Sequence, residues 1–290
     1  MKLGIAGGGF VGNALKEGFG DHFEVLTYDK DPNRSEVAGL GVLVTLCEGP
    51  IFVCVPTPMM PTGYCDLNIV REVVENLNDE AGKRGKTVVV VIKSTVPPGT
   101  CDWLNKRFLS VRCVFNPEFL VERTAVEDFK NQDRIILGGD DEDAVKLVRH
   151  VYMQAFPNTP VLKTSARNAE FVKYFINCFL SVKVAFCNEM WQMCQKMGAD
   201  YDHVTELVAT DKRIGTSHLN VPGPDGHLGF GGKCFCKDLN AMMSEARSLG
   251  VDPKVMRGAW EKNLEVRPEK DWEKIPGVLS KVRYMFVEEE

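Results

Sequence analysis

Met1-Lys2-Leu3-Gly4-Ile5-Ala6-Gly7-Gly8-Gly9-Phe10-Val11-Gly12 opens the chain and decides how its first half folds. Residues 1–6 read as a short buried strand, which passes directly into Gly7-x-Gly9-x-x-Gly12. Glycines here permit a tight turn and the approach of a pyrophosphate to the N-terminus of the following helix, where N–H groups and the helix dipole favour an anion. Alone, the glycine triplet is weak evidence. The next apolar run, Phe23 to Tyr28, ends in Asp29, near the place where a carboxylate accepts hydrogen bonds from adenosine ribose hydroxyls. Strand, turn, helix, strand and acid together predict a dinucleotide site built on Gly7, Gly9, Phe10, Val11, Gly12 and Asp29. Asp29 repels a 2'-phosphate and so favours NAD over NADP, a preference that Lys30 softens. The plain alternative for Asp29 is a turn residue in Asp29-Lys30-Asp31-Pro32.

Further apolar runs at Ile51–Val55, Val88–Ile92, Val111–Phe115 and Ile135–Leu137 alternate with helical patterns such as Asn68–Arg84 and Asp141–Met153. Continuous Val/Ile runs separated by helices predict parallel strands buried on both faces, hence an α/β, doubly wound, Rossmann-like parallel sheet over residues 1–163. Three strand ends carry polar or proline-rich loops, at the sheet edge where such folds bind ligands. They are Pro56-Thr57-Pro58, Lys93-Ser94-Thr95-Val96-Pro97-Pro98-Gly99 and Asn116-Pro117-Glu118-Phe119-Leu120-Val121-Glu122. Glu118 and Glu122 stand four apart. On a helical turn they would share a face, and their repulsion would raise one pKa toward that of a general base.

From Ser165, a plausible N-cap, residues 166–197 show helical apolar spacing at Phe171, Tyr174, Phe175, Cys178, Phe179, Val182 and Phe186, with Gly198 as the stop. Residues 164–290 are therefore expected to form an all-α domain built on one long central helix, with a homodimer through that helix. Lys173 and Asn177 stand one turn apart on it. Further on comes Gly229-Phe230-Gly231-Gly232-Lys233-Cys234-Phe235-Cys236-Lys237-Asp238. Paired glycines beside a thiol, with a cation and a carboxylate just beyond, form the layout of a reactive cysteine, because the thiolate is the nucleophile and Lys237 favours it. Cys234 and Cys236 also read as half a metal site, although two ligands do not make one.

Composition sets the outer bounds. The 290 residues are 44% hydrophobic and 26% charged, which fits an ordinary two-domain globular chain. A net charge of -5 without a basic run argues against nucleic acid as partner. No apolar run is long enough to span a membrane, and the N-terminus lacks a signal-peptide pattern. Ten cysteines scattered through apolar runs point to a reducing compartment, the cytoplasm, rather than to a disulfide framework.

The cysteine decapeptide resembles the active-site signature of the nucleotide-sugar dehydrogenases, the UDP-glucose 6-dehydrogenase and GDP-mannose dehydrogenase family, with Cys236 where many members carry proline. The three strand-end loops and Glu170-Phe171-Val172-Lys173-Tyr174-Phe175-Ile176-Asn177 resemble the same family. The resemblance implies oxidation of a sugar-nucleotide alcohol to an acid, with two NAD consumed and Cys234 holding the thiohemiacetal and thioester. It further implies that Thr95 and Asp238 position water, that Glu122 assists, and that Lys173 and Asn177 stabilise the oxyanion. Pro56, Thr57, Thr95 and Glu118 fall at cofactor-side positions. Glu118, Phe119, Leu120, Lys173, Asn177, Gly231 and Arg213 fall at substrate positions, the arginine reaching from a neighbouring subunit. Members continue into a further nucleotide-binding domain, which the sequence past Arg267 is expected to lack. Two other readings stay open: a two-domain dehydrogenase making one hydride transfer on a smaller hydroxyacid or sugar phosphate, and a non-catalytic NAD-binding redox sensor using Cys234 and Cys236.

Overall fold

The computed structural model describes residues 1–281. The end of the Val278–Val287 run and the three terminal glutamates lie outside those residues. The chain divides into two compact units: residues 1–57 with 67–173, and residues 58–66 with 174 onward. The second thus begins within the long helix rather than at residue 164, and it takes in a loop from the first half.

The first unit is a seven-stranded sheet in the order β2-β1-β3-β4-β5-β6-β7. Its strands are β1 (Lys2–Ala6), β2 (Glu24–Tyr28), β3 (Ile51–Val53), β4 (Val88–Ile92), β5 (Val111–Phe115), β6 (Ile135–Gly138) and β7 (Val161–Thr164). Its helices are α1 (Phe10–Phe19), α2 (Leu40–Leu46), α3 (Asn68–Lys83), α4 (Thr100–Arg107), α5 (Ala125–Lys130) and α6 (Glu142–Ala155). Alternate residues of one strand enter different cores. Val90, Ile92, Cys113 and Phe115 pack with α2, α3 and α4, whereas Val91 and Val114 pack with α1, α5 and α6. Burial on both faces is why these strands read as unbroken Val/Ile runs. Local chemistry sets the ends: the Asp141 carboxylate caps α6 by accepting the Ala144 N–H at 2.9 Å.

The sheet is mostly, not wholly, parallel. β5 meets β6 antiparallel through Phe115 and Gly138, and β7 runs parallel to β6. The link from β5 to β6 holds only a short 3-10 turn and α5, and an antiparallel neighbour needs no longer crossover. β7 shows no apolar alternation because it is an edge strand whose Leu162 and Lys163 face solvent.

Helix α7 (Ala166–Met197) gives its first residues to the first unit and the rest to the second, where it joins α8 (Tyr201–Val208), α9 (Phe235–Ser248) and α10 (Lys254–Val266). Cys178 and Ala185 of α7 pack with Cys236, Leu239, Met243, Ala259, Phe230 and Trp272. Its apolar positions divide between two faces: Tyr174 and Cys178 are buried, whereas Phe175, Phe179 and Phe186 are 58–63% exposed. No helix among the described residues is long and apolar enough to cross a membrane.

Candidate active site

In the first unit, Gly7 leaves β1 with φ +108°, and a Cβ there would stand 2.6 Å from the Cys54 carbonyl oxygen. A Cβ on Gly12 would strike the Gly7 carbonyl, so this glycine sets how closely α1 approaches β1. Gly9 caps α1 with its carbonyl alone, no side chain fills the cap, and the space beyond its Cα is open. Phe10 and Val11 are half-buried in the first turn of α1. Asp29, at the end of β2, accepts the Gly8 N–H on Oδ2 at 2.6 Å and the Asp31 N–H on Oδ1 at 2.8 Å, and Lys30 beside it is exposed. A helix N-terminus bare of side chains, with a carboxylate held against its glycine turn, fits the pyrophosphate and ribose of a dinucleotide.

The strand-end loops follow. Thr57 and Thr95 are buried after β3 and β4, and Pro56 is exposed. After β5 the structure corrects one expectation. Asn116 to Val121 form no helix, Glu122 is exposed in a 3-10 turn, and Glu118 is 7% exposed. Glu118 Oε1 accepts from Lys173 Nζ at 2.9 Å, the Glu118 carbonyl accepts from the same amine at 2.6 Å, and Oε2 accepts the Leu120 N–H at 2.8 Å. Burial pushes the Glu118 pKa up, but the Lys173 charge and these hydrogen bonds outweigh it, so the carboxyl sits below the usual range. An ion pair, not repulsion from Glu122, governs it. Phe119 lies under both Lys173 and Arg134, with Arg134 Cζ 4.8 Å from the ring centroid.

In the second unit, Cys234 is the half-buried N-cap of α9, and its carbonyl accepts the Asp238 N–H at 2.9 Å. A thiol at a helix N-terminus lies where the dipole favours the thiolate. One turn along, the buried Asp238 accepts from Asn177 Nδ2 at 2.6 Å and pairs with Lys237. Burial lowers the Lys237 pKa, but the Asp238 carboxylate more than offsets it, so this amine stays charged. Cys236 is wholly buried and its thiol pKa is pushed up by burial, which makes it a core residue. Among the described residues no group of three or more His, Cys, Asp and Glu side chains is placed to hold a metal ion.

Arg267, seen in the sequence only as a boundary, proves central to the cysteine loop. It is 2% exposed and holds Asp271 at 2.6 and 2.8 Å and Asp225 at 2.8 Å. A Cβ on Gly231 would lie 2.5 Å from its Nη2, so Gly231 is glycine because a guanidinium packs on it. Glu170, near the start of α7, has a structural part. Its buried carboxylate accepts the Gly99 and Cys101 N–H groups at 2.5 and 2.8 Å, which anchors the start of α4, and burial raises its pKa. Arg213 is exposed and pairs with Asp211.

A glycine turn with a carboxylate at the next strand end, on a sheet of this order, defines a Rossmann-type dinucleotide-binding protein. The chain belongs to the UDP-glucose/GDP-mannose dehydrogenase family: that family's NAD binding domain matches residues 47–156 and its central domain residues 167–265. A UDP-glucose 6-dehydrogenase of Rickettsia bellii is 38% identical over 234 residues, covering 79% of this chain and 52% of that protein. One of Haloferax volcanii is 30% identical, covering 93% and 71%. A solved UDP-glucose dehydrogenase from Pyrobaculum islandicum superposes with a TM-score of 0.84 at 31% identity, covering 91% of this chain and 68% of that one. The chain spans about half the length of the Rickettsia relative.

Proposed function

We propose that the protein oxidises the primary alcohol of a sugar nucleotide, UDP-glucose, to the uronic acid in two NAD-linked steps through a covalent adduct on Cys234. The observation that carries the reading is the thiol at the N-terminus of α9, one turn from the buried Asp238–Asn177–Lys237 cluster. Family membership and the names of the relatives support the substrate class. The Gly7–Gly12 turn and Asp29 would hold NAD, which supplies a hydride acceptor.

In this reading the Cys234 sulfur adds to the aldehyde carbon left by the first oxidation, giving a thiohemiacetal. The second oxidation leaves a thioester, which water hydrolyses to the acid. Lys173 and Asn177 donate to the developing oxyanion. Thr95 and Asp238 hold the attacking water, Glu122 assists, and Arg213 and the Glu118–Leu120 segment bind substrate. The protein is further proposed to act as a homodimer through the exposed Phe175, Phe179 and Phe186 face of α7, and in the cytoplasm, in keeping with ten cysteines that form no disulfide among the described residues.

The test supplies UDP-glucose and NAD to the purified protein and to Cys234→Ser. Two NADH per acid are expected from the wild type, with acid production lost in the variant. An undiminished acid yield from Cys234→Ser excludes the covalent role, and one NADH per product indicates a single oxidation.

A further inference from the structure

Lys93, at the C-terminal end of β4, is 3% exposed. Its Nζ meets only neutral partners among the described residues: Asn116 Oδ1 at 2.8 Å, the Pro117 carbonyl at 3.5 Å and the Phe129 ring 5.9 Å away. Asn116 is itself fixed, accepting from the Tyr152 hydroxyl at 2.5 Å and donating to the Ile136 carbonyl at 2.7 Å. The next residues along, Pro117 and Glu118, lead to the carboxylate that Lys173 grips. Two buried amines therefore address the three consecutive residues Asn116 to Glu118, and one carboxylate balances them.

The electrostatics follow from that count. Lys93 is lowered to about 8, chiefly by burial and further by the Lys173 charge, with Cys54 and Glu118 opposing. Of the other groups facing it, burial pushes the Cys54 thiol up to about 12 and the Tyr152 phenol well above its ordinary value, so both are neutral near pH 8. Lys93 can therefore gain or lose a proton near neutrality in answer to a change in its neighbours. Such a change arises when Lys173 turns to a ligand, because Glu118 would otherwise be left as a buried, uncompensated charge.

We propose that Lys93 is a positioning residue, a reserve cation that fixes the Asn116–Glu118 segment and becomes the counter-charge of Glu118 when Lys173 leaves it for the substrate. This rests on the reading that Lys173 addresses a substrate oxygen. With Lys93 protonated, Lys173 is released at little electrostatic cost. With Lys93 neutral, Glu118 retains it.

Two measurements test the proposal. The first follows UDP-glucose-dependent NAD reduction against pH in wild type, Lys93→Met and Lys93→Arg, with thermal unfolding as a check that each variant folds. A fall in the wild-type rate above about pH 8, absent from the permanently charged Arg variant, and a loss of roughly tenfold or more in kcat for Met at all pH values are expected. A folded Met variant with the wild-type rate and pH profile overturns the proposal. The second needs no activity. The stability difference between the protein with and without Lys93 (Lys93→Met) is followed by thermal unfolding against pH, in the wild-type and Lys173→Met backgrounds. Removing the Lys173 charge should move the pH at which Lys93 titrates upward by about one unit or more. An unmoved midpoint overturns the reserve-cation role. If the midpoint moves but wild type does not reduce NAD with UDP-glucose, the counter-charge relation stands and the substrate reading alone fails.

Discussion

Glu118 shows how far one buried contact can redirect a residue. Its spacing to Glu122 suggests a raised pKa, yet the Lys173 ammonium at 2.9 Å and the Leu120 N–H hold it down. Because its folded pKa lies below the unfolded value of 4.5, it contributes stability above pH 4.5, and that contribution is lost as pH falls through the folded pKa. Glu118→Gln should therefore cost about 3–5 kcal/mol at pH 7, since it strands buried ammonium charge. The gap to wild type should close as pH falls below 4.5 and through the folded pKa, where the native carboxyl protonates. Denaturant unfolding at a series of pH values checks this, and a gap independent of pH would refute the ion pair. At Gly231, likewise, the deciding partner is remote: Arg267 makes the glycine necessary, and nothing within the decapeptide indicates it.

Among the elements, α7 carries two kinds of apolar surface. Tyr174 and Cys178 are covered, whereas Phe175, Phe179 and Phe186 present a row of rings at intervals of four and seven residues. A single exposed apolar residue means little, but a row of phenylalanines along one helix face is what the proposed association would cover. Phe179→Glu should convert a dimer to a monomer in sedimentation at micromolar protein while leaving the monomer folded by circular dichroism, because the 60% exposed ring contributes little to the core. Unchanged sedimentation would place any interface elsewhere. α9 teaches a related lesson, since its N-terminus presents Cys234 while its inner face buries Cys236 and Asp238. Adjacent cysteines in the sequence thus have opposite fates.

On the scale of the whole molecule, the groups proposed for NAD all lie in the first unit, so cofactor binding should be measurable without a sugar nucleotide. NAD at about a hundred times its Kd should stabilise the protein by about 2.7 kcal/mol. Asp29→Ala should weaken NAD binding roughly tenfold, the worth of hydrogen bonds to a charged acceptor. A thermal shift with NAD alone reads both, and an unaltered shift in the variant would leave Asp29 as a turn residue.

The chain's local order determined the strands β1 to β6, the long helix, the glycine turn and the cysteine turn. Each of these rests on nearest-neighbour physics: side-chain periodicity, the conformations open only to glycine, and caps that bond within a few residues. The edge strand β7 escaped because solvent on its faces removes the apolar pattern, and the reversed β6 escaped because strand direction is not written in composition. Only the tertiary structure decided the partners of buried charge. Glu118 with Lys173, Asn177 with Asp238 and Glu170 with Gly99 are joined across 55, 61 and 71 positions. A buried ion needs a counter-charge or hydrogen-bond partners, and chain closure, rather than sequence spacing, chooses which residues supply them.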